Sequence, residues 1–184
     1  TFAEYCRKNI FIPLNMDASF QVSDIKNWQK IGVLYRSKEK STVFYSTKDN
    51  YSGVKPVSDI RTAPLGSALG DSPAGGVRMN ILDLSKFMMA HMNGGTYNKK
   101  SILKSDTADL MHSMQWFGNS MSGLYKQKGL YFHITDNLVL GQRLVGHSAE
   151  AYGLIGDAYY NPDTKYGVVF LMNGGNYAHS APYY

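Results

Sequence analysis

Apolar residues recur at helical spacing early in the chain and alternate with polar ones late in it, and this change of period organises the reading. Phe2, Tyr5, Cys6 and Asn9-Ile10 fall on one helical face, and Pro13 predicts that the helix ends just before it. The segment starts without an obvious capping residue, so it reads as the middle of a helix. IFIPLNM follows as a helix exit with apolar anchors, and Ser23 ahead of DIKNW predicts a cap on a short helix. GVLYRS and STVFYS, β-branched and aromatic runs around the charged turn KEK, predict a hairpin. Thr47 to Pro73 shows no period. A Ser-, Gly-, Pro- and Asp-rich stretch of that length in a compact domain is usually functional or part of a cleft wall.

A second helix is predicted from Asn80. Asp83, three residues on, makes a capping box with Asp in place of Glu. Ile81, Leu84, Phe87, Met88 and Met92 form the apolar face, and Gly94-Gly95 ends the helix. Ser105 predicts the cap of a third helix, DTADLMHSM. The period then falls to two. GLYFHIT and LVLGQRLV lie around Asp136-Asn137, a pair that tolerates the positive φ of a tight turn. AYGLIGDAYYN and YGVVFLMN flank the turn NPDTK. The expected class is α/β: an antiparallel β-sheet with flanking helices, a single partial domain over 1–184. Residues 1–122 read as mostly helices and loops and residues 123–184 as antiparallel strands. Both ends look cut, which predicts a fragment of a longer protein.

Composition narrows the function. With 43% hydrophobic and 18% charged residues the chain is globular and not disordered. The net charge of +5 comes from scattered basic residues, with short clusters at Arg36–Lys40 and Lys99–Lys104 and no nucleic-acid-binding signature, so no nucleic-acid partner is expected. No apolar run has transmembrane length. Cys6 is the sole cysteine and lies on the apolar stripe, as a buried thiol would; it excludes an intrachain disulfide framework. The five histidines, His91, His112, His133, His147 and His179, show no zinc-motif spacing, and P-loop, GxGxxG and GxSxG signatures are absent. Neither a metal nor another cofactor is expected.

One segment has the character of an active-site strand. In RLVGHSAEAYG, Arg143 to Gly153, apolar residues lead into His147-Ser148 and small residues with one Glu follow. A sheet edge of this kind offers side chains and backbone N–H groups to a bound carbonyl. The plain alternative for His147 is a sheet histidine with a satisfied hydrogen bond.

Four segments in order carry a resemblance to a known family: the helix into IFIPLNM, then SPAGGVRMNILDLSKFM, GGTYNKKSILKSDTADLM, and GHSAEAYG with the two strands after it. Together they resemble the C-terminal half of the serine β-lactamase and penicillin-binding-protein-like hydrolases, which include class C β-lactamases, D,D-peptidases and esterases. The resemblance implies a β-lactamase/transpeptidase-like fold, incomplete at both ends. It implies acyl transfer built on three motifs: a Ser-x-x-Lys nucleophile, a Tyr-x-Asn proton-transfer group, and a Lys/His-Ser/Thr-Gly strand beside the oxyanion hole. His147-Ser148-Ala149 corresponds to the third. The catalytic candidates are then His147 at the Lys/His position, Ser148 against substrate, and Glu150 through its backbone N–H as an oxyanion donor. Ala149 departs from the family's Gly and puts substrate fit in doubt.

Ser-x-x-Lys matches occur at Ser23–Lys26, Ser37–Lys40 and Ser101–Lys104 among others, but none of these opens a long apolar helix. Tyr159-Tyr160-Asn161 matches Tyr-x-Asn but follows the third motif, in the wrong order. All four read as chance matches, which places the first two motifs upstream of Thr1. The expected function is the C-terminal part of a serine hydrolase cleaving a small-molecule or peptide-like amide or ester, with this chain inactive alone. The alternative is a non-catalytic module that binds peptides or cell-wall fragments. The expected partners are the substrate, the missing N-terminal segment, or a second copy of the chain. By resemblance, a periplasmic or extracellular location is favoured.

Overall fold

A computed structural model describes residues 1–37, 43–47, 75–118, 126–151 and 153–175. The KEK turn and most of the long irregular stretch lie outside the described residues. Two compact units are present. One comprises Thr1–Asp83, Ala149–Gly156 and Leu171–Asn176, and the other Leu84–Ser148, Asp157–Phe170 and Tyr177–Tyr184.

The first unit begins with helix α1 (Phe2–Cys6), which is capped, against expectation. The Glu4 N–H donates to Thr1 Oγ1 at 3.3 Å, and the Glu4 carboxylate reaches back to the Thr1 backbone nitrogen, closing a capping box. A π-helical turn, Arg7–Phe11, continues it. Pro13 has no N–H to give the next regular helical bond. The backbone widens instead, Ile12 N–H donating to the Arg7 carbonyl and Met16 N–H to that of Phe11. Cys6, Phe11, Leu14, Met16, Ala18, Val22 and Ile25 are buried in this unit. Phe20 meets Phe2 edge-on at 5.1 Å. Ser23 is not a helix cap. It lies inside a one-turn 3-10 helix, Val22–Asp24, preceded by Ser19, whose hydroxyl accepts from the Gln21 N–H and donates to Asp24. Strands β1 (Leu34–Ser37) and β2 (Phe44–Thr47) form the expected antiparallel hairpin.

Helix α2 (Ile81–Met92) starts as Asn80 and Asp83 predict, with one difference. Asp83 N–H donates to Asn80 Oδ1 at 2.9 Å, but the return bond to Asp83 Oδ2 comes from the Asn80 side-chain amide, at 2.7 Å. The Asp17 N–H also donates to Asp83 Oδ2, at 3.0 Å. Gly94 and Gly95 end the helix with positive φ, and a Cβ on Gly95 would lie 2.7 Å from Leu103 Cβ.

Strands β3 (Thr96–Tyr97) and β4 (Lys100–Ser101) form a small hairpin turning at Asn98-Lys99, both at positive φ. Helix α3 (Ser105–His112) follows, with Lys104 and not Ser105 at its N-cap position. The main sheet has the order β10-β9-β8-β7-β6-β5, with β5 (Trp116–Phe117), β6 (Gln127–Lys128), β7 (His133–Thr135), β8 (Leu144–Ala151), β9 (Leu154–Tyr160) and β10 (Gly167–Asn173). Strands β5 to β8 are paired antiparallel.

The second unit's core is Met88, Phe132, Ile134, Val145, Ala158 and Tyr160, with Leu84, Phe87, Met92, Met111 and Val169 packed on it. Each such side chain contributes on the order of 1.5–3 kcal/mol of burial. Ile81, predicted on the apolar face of α2, is 41% exposed. The connection from β7 to β8 is longer than the two-residue turn expected at Asp136-Asn137 and is closed by Arg143, whose guanidinium donates to both Asp136 carboxylate oxygens at 3.0 Å. Among the described residues, no helix is long and apolar enough to cross a membrane.

Candidate functional site

The His-Ser segment lies on β8, and the strand's pairing gives it two characters. From Leu144 to Gly146 it is interior, laddered to β7, and the last pair is His133↔Gly146. Residues 147–151 extend past that pair. Among the described residues, the sheet edge expected here is therefore confined to the second half of the strand, which carries His147, Ser148 and the Glu150 backbone.

His147 is exposed. Its Nδ1 lies 2.5 Å from the Ser148 carbonyl oxygen, and its ring stacks on His133 at a centroid distance of 4.1 Å and 25° between planes. His133 is buried, and burial, reinforced by the charges of His147 and Lys128, pushes its pKa down to about 4, so it is neutral at pH 7.

Gly146 permits what happens next to it. A Cβ there would collide with the Ala158 carbonyl oxygen and lie 2.6 Å from Tyr159 Cα and Cδ1. Without one, Tyr159 of β9 reaches β8 and places its hydroxyl 3.0 Å from Ser148 Oγ and 3.2 Å from His133 Nδ1. Asp157, two residues before Tyr159 and so on the same face of β9, lies near enough to Ser148 and His147 for both to favour its ionised form. Burial holds the Asp157 carboxyl above its usual range, against the lowering effect of Ser148 and His147. Ser148 therefore takes part in a polar network on the strand.

A second polar cluster lies in the same unit. His91 of α2 and His112 of α3 face each other, Nδ1 to Nε2, at 3.1 Å, and the Tyr160 hydroxyl meets His112 Nδ1 at 2.9 Å. Phe87 and Phe132 pack on the rings at 4.5–5.0 Å. Burial, and the neighbouring His112, push the His91 pKa down to about 4; burial also lowers that of His112. The cluster borders a cavity of about 230 Å³ lined also by Asp109, Ser113 and Lys165, whose ammonium donates to the Met92 carbonyl at 2.9 Å. Among the described residues, no three His, Cys, Asp or Glu side chains are grouped to hold a metal ion.

Ser23, Ser37 and Ser101 are not at helix starts in this fold. Ser23 is within its short 3-10 turn, Ser37 ends β1, and Ser101 ends β4 with its hydroxyl on the Leu103 carbonyl. Asn161 makes a turn: its Oδ1 accepts the N–H groups of Asp163 and Thr164 at 2.8 and 3.0 Å. Tyr159, set aside with it from sequence, proves to be the neighbour of Ser148. Gly146 inside a strand pattern was the signal for that close approach. His91 was missed as well; its signal is that it continues the α2 face at helical spacing from Leu84, Phe87 and Met88.

An antiparallel sheet with helices packed on it defines the class as the β-lactamase/transpeptidase-like fold. The Beta-lactamase family model matches residues 1–183, and the chain belongs to that family. No curated protein matches it. Among solved structures it is similar to the octameric penicillin-binding protein homologue from Pyrococcus abyssi, with a TM-score of 0.69 and 22% identity, over 96% of this chain and 34% of that one. It is also similar to the D-amino acid amidase from Ochrobactrum anthropi SV3 in its complex with L-phenylalanine amide, with a TM-score of 0.62 and 16% identity, over 92% and 42%. The chain thus spans less than half the length of these structural relatives.

Proposed function

We propose that this chain supplies one wall of the substrate cleft of a serine hydrolase that cleaves an amide or ester through an acyl-serine intermediate. The observation that carries the reading is the position of His147-Ser148 on the half of β8 that runs past β7, in a chain of the Beta-lactamase family. In the proposed reaction a serine oxygen attacks the substrate carbonyl, the leaving amine or alcohol departs with a proton, and water then hydrolyses the ester to release the acid. His147 is the exposed side chain that would face the substrate, and the Glu150 N–H is one of the two oxyanion donors. The nucleophile belongs to residues of the whole protein outside these 184. That placement is supported by the much greater length of the similar hydrolases and by the strand and turn positions of Ser23, Ser37 and Ser101.

One observation favours a second reading. Ala149 puts a methyl group beside the oxyanion donor, and Ser148 is already bonded to Tyr159. A peptide-binding module without turnover would tolerate both. Self-association is a further proposal, supported by the octameric state of the Pyrococcus abyssi homologue.

Hydrolysis of nitrocefin and p-nitrophenyl esters by the full-length protein, with His147→Ala beside it, tests the reading. Losing a hydrogen bond worth about 0.5–1.5 kcal/mol lowers kcat/KM by roughly two- to tenfold. Turnover unchanged in the variant removes His147 from the mechanism. Binding of peptide fragments with no turnover moves the assignment to the module.

A further inference from the structure

We propose that His91, His112 and Tyr160 form a pH-sensitive clasp joining α2, α3 and β9, which keeps its bonds through a first protonation, at His112, and opens at a second, at His91. His91 Nδ1 lies 3.1 Å from His112 Nε2, with the ring centroids 5.2 Å apart, so the two rings meet end on. His112 Nδ1 lies 2.9 Å from the Tyr160 hydroxyl. Burial holds both histidines below their ordinary pKa, and both are neutral at pH 8. A neutral ring carries one N–H and one bare nitrogen. Two neutral rings in this contact must therefore share a tautomer. With Nδ1–H on both, His91 donates to His112 and His112 to Tyr160. With Nε2–H on both, Tyr160 donates to His112 and His112 to His91.

A proton from solvent removes the choice. Protonated His112 donates from both nitrogens, and both acceptors are in place: the Tyr160 oxygen and His91 Nδ1. His91 must then carry its hydrogen on Nε2. A proton on His91 instead would leave the Nε2–H of a buried cation with no hydrogen-bond partner among the described residues, against the rings of Phe87 and Phe132. Geometry therefore seats the first proton on His112. Of the two charged groups on the adjoining cavity, Asp109 favours that proton and Lys165 opposes it. A second proton, on His91, puts hydrogens and like charges on both facing nitrogens, and the contact between α2 and α3 cannot persist. None of this depends on the proposed role of His147.

Nitrogen-15 spectroscopy of the histidine rings in the full-length protein, titrated downward from pH 8, tests this without any activity measurement. At pH 8 His91 and His112 should show the same tautomer populations and a scalar coupling across the N–H···N bond between them. His112 should protonate first, with the coupling retained and His91 wholly in the Nε2–H form. The coupling should vanish only as His91 takes its own proton. Tyr160→Phe keeps the ring in the core and removes the acceptor for His112 Nδ1–H. It should lower the pH at which His112 protonates while the two rings still share a tautomer. Opposite tautomers at pH 8, His91 protonating first, or a coupling lost at the first step would overturn the proposal. So would a His112 midpoint unmoved in Tyr160→Phe.

Discussion

Acidification should weaken this fold between pH 6.5 and 4, and His91 should account for a large part of the loss. Its ring is 4% exposed and wedged among Phe87, Phe132 and His112, with a pKa near 4 in place of 6.5. The sign follows from proton uptake. As pH falls through 6.5 the unfolded chain protonates this histidine while the folded chain does not. Stability is thus complete above 6.5, declines to about pH 4, and levels off below it. At about 1.36 kcal/mol per pKa unit, His91 alone costs on the order of 3 kcal/mol over that window, and His133 adds a comparable amount. Domains are typically stable by only about 5–15 kcal/mol, so acid should loosen the second unit visibly. Asp157, with its raised pKa, works in the opposite direction, so the comparison must be against a variant at each pH. Urea unfolding of wild type and His91→Gln from pH 7.5 to 4.5 is the assay. The variant should be weaker at pH 7.5, having lost its bond to His112, but should lose about 3 kcal/mol less than wild type on acidification. Parallel pH profiles for the two proteins would refute the reasoning.

Other perturbations separate backbone, cap and surface effects. Gly146→Ala sets a methyl group against the backbone of β9, where no side chain can move aside, and should cost about 1–3 kcal/mol or more in urea unfolding. Asn80→Ala removes both bonds at the start of α2 and should cost about 0.5–2 kcal/mol in the same experiment. Arg143→Ala, which breaks an exposed pair with Asp136, should cost less than about 1 kcal/mol, and that small loss should shrink further in high salt.

Elements whose local signals and packing agree were readable in the sequence. The α2 start, its double-glycine end, the β1–β2 hairpin and the NPDTK turn are of this kind. Each depends on residues within a few positions of one another. What was not legible depends on residues far apart or on unusual choices. The β3–β4 hairpin turns at Asn98-Lys99, and a lysine at positive φ is not a turn signal. Thr1 looks like an uncapped first residue until Glu4 folds back on it. The site divides in the same way. His147-Ser148 stood out as a candidate because the two are adjacent and resemble a motif. Tyr159, His133 and Asp157 were missed because only strand pairing brings them to Ser148. The His91–His112 pair, 21 residues apart, needs two helices to meet.

Activity-based labelling of the full-length protein with a fluorophosphonate, followed by peptide mapping, addresses the central claim most directly. The account predicts one labelled serine, outside the 184 residues described here, and slower labelling in His147→Ala than in wild type. Label on Ser23, Ser37, Ser101 or Ser148, or labelling indifferent to His147, would contradict it.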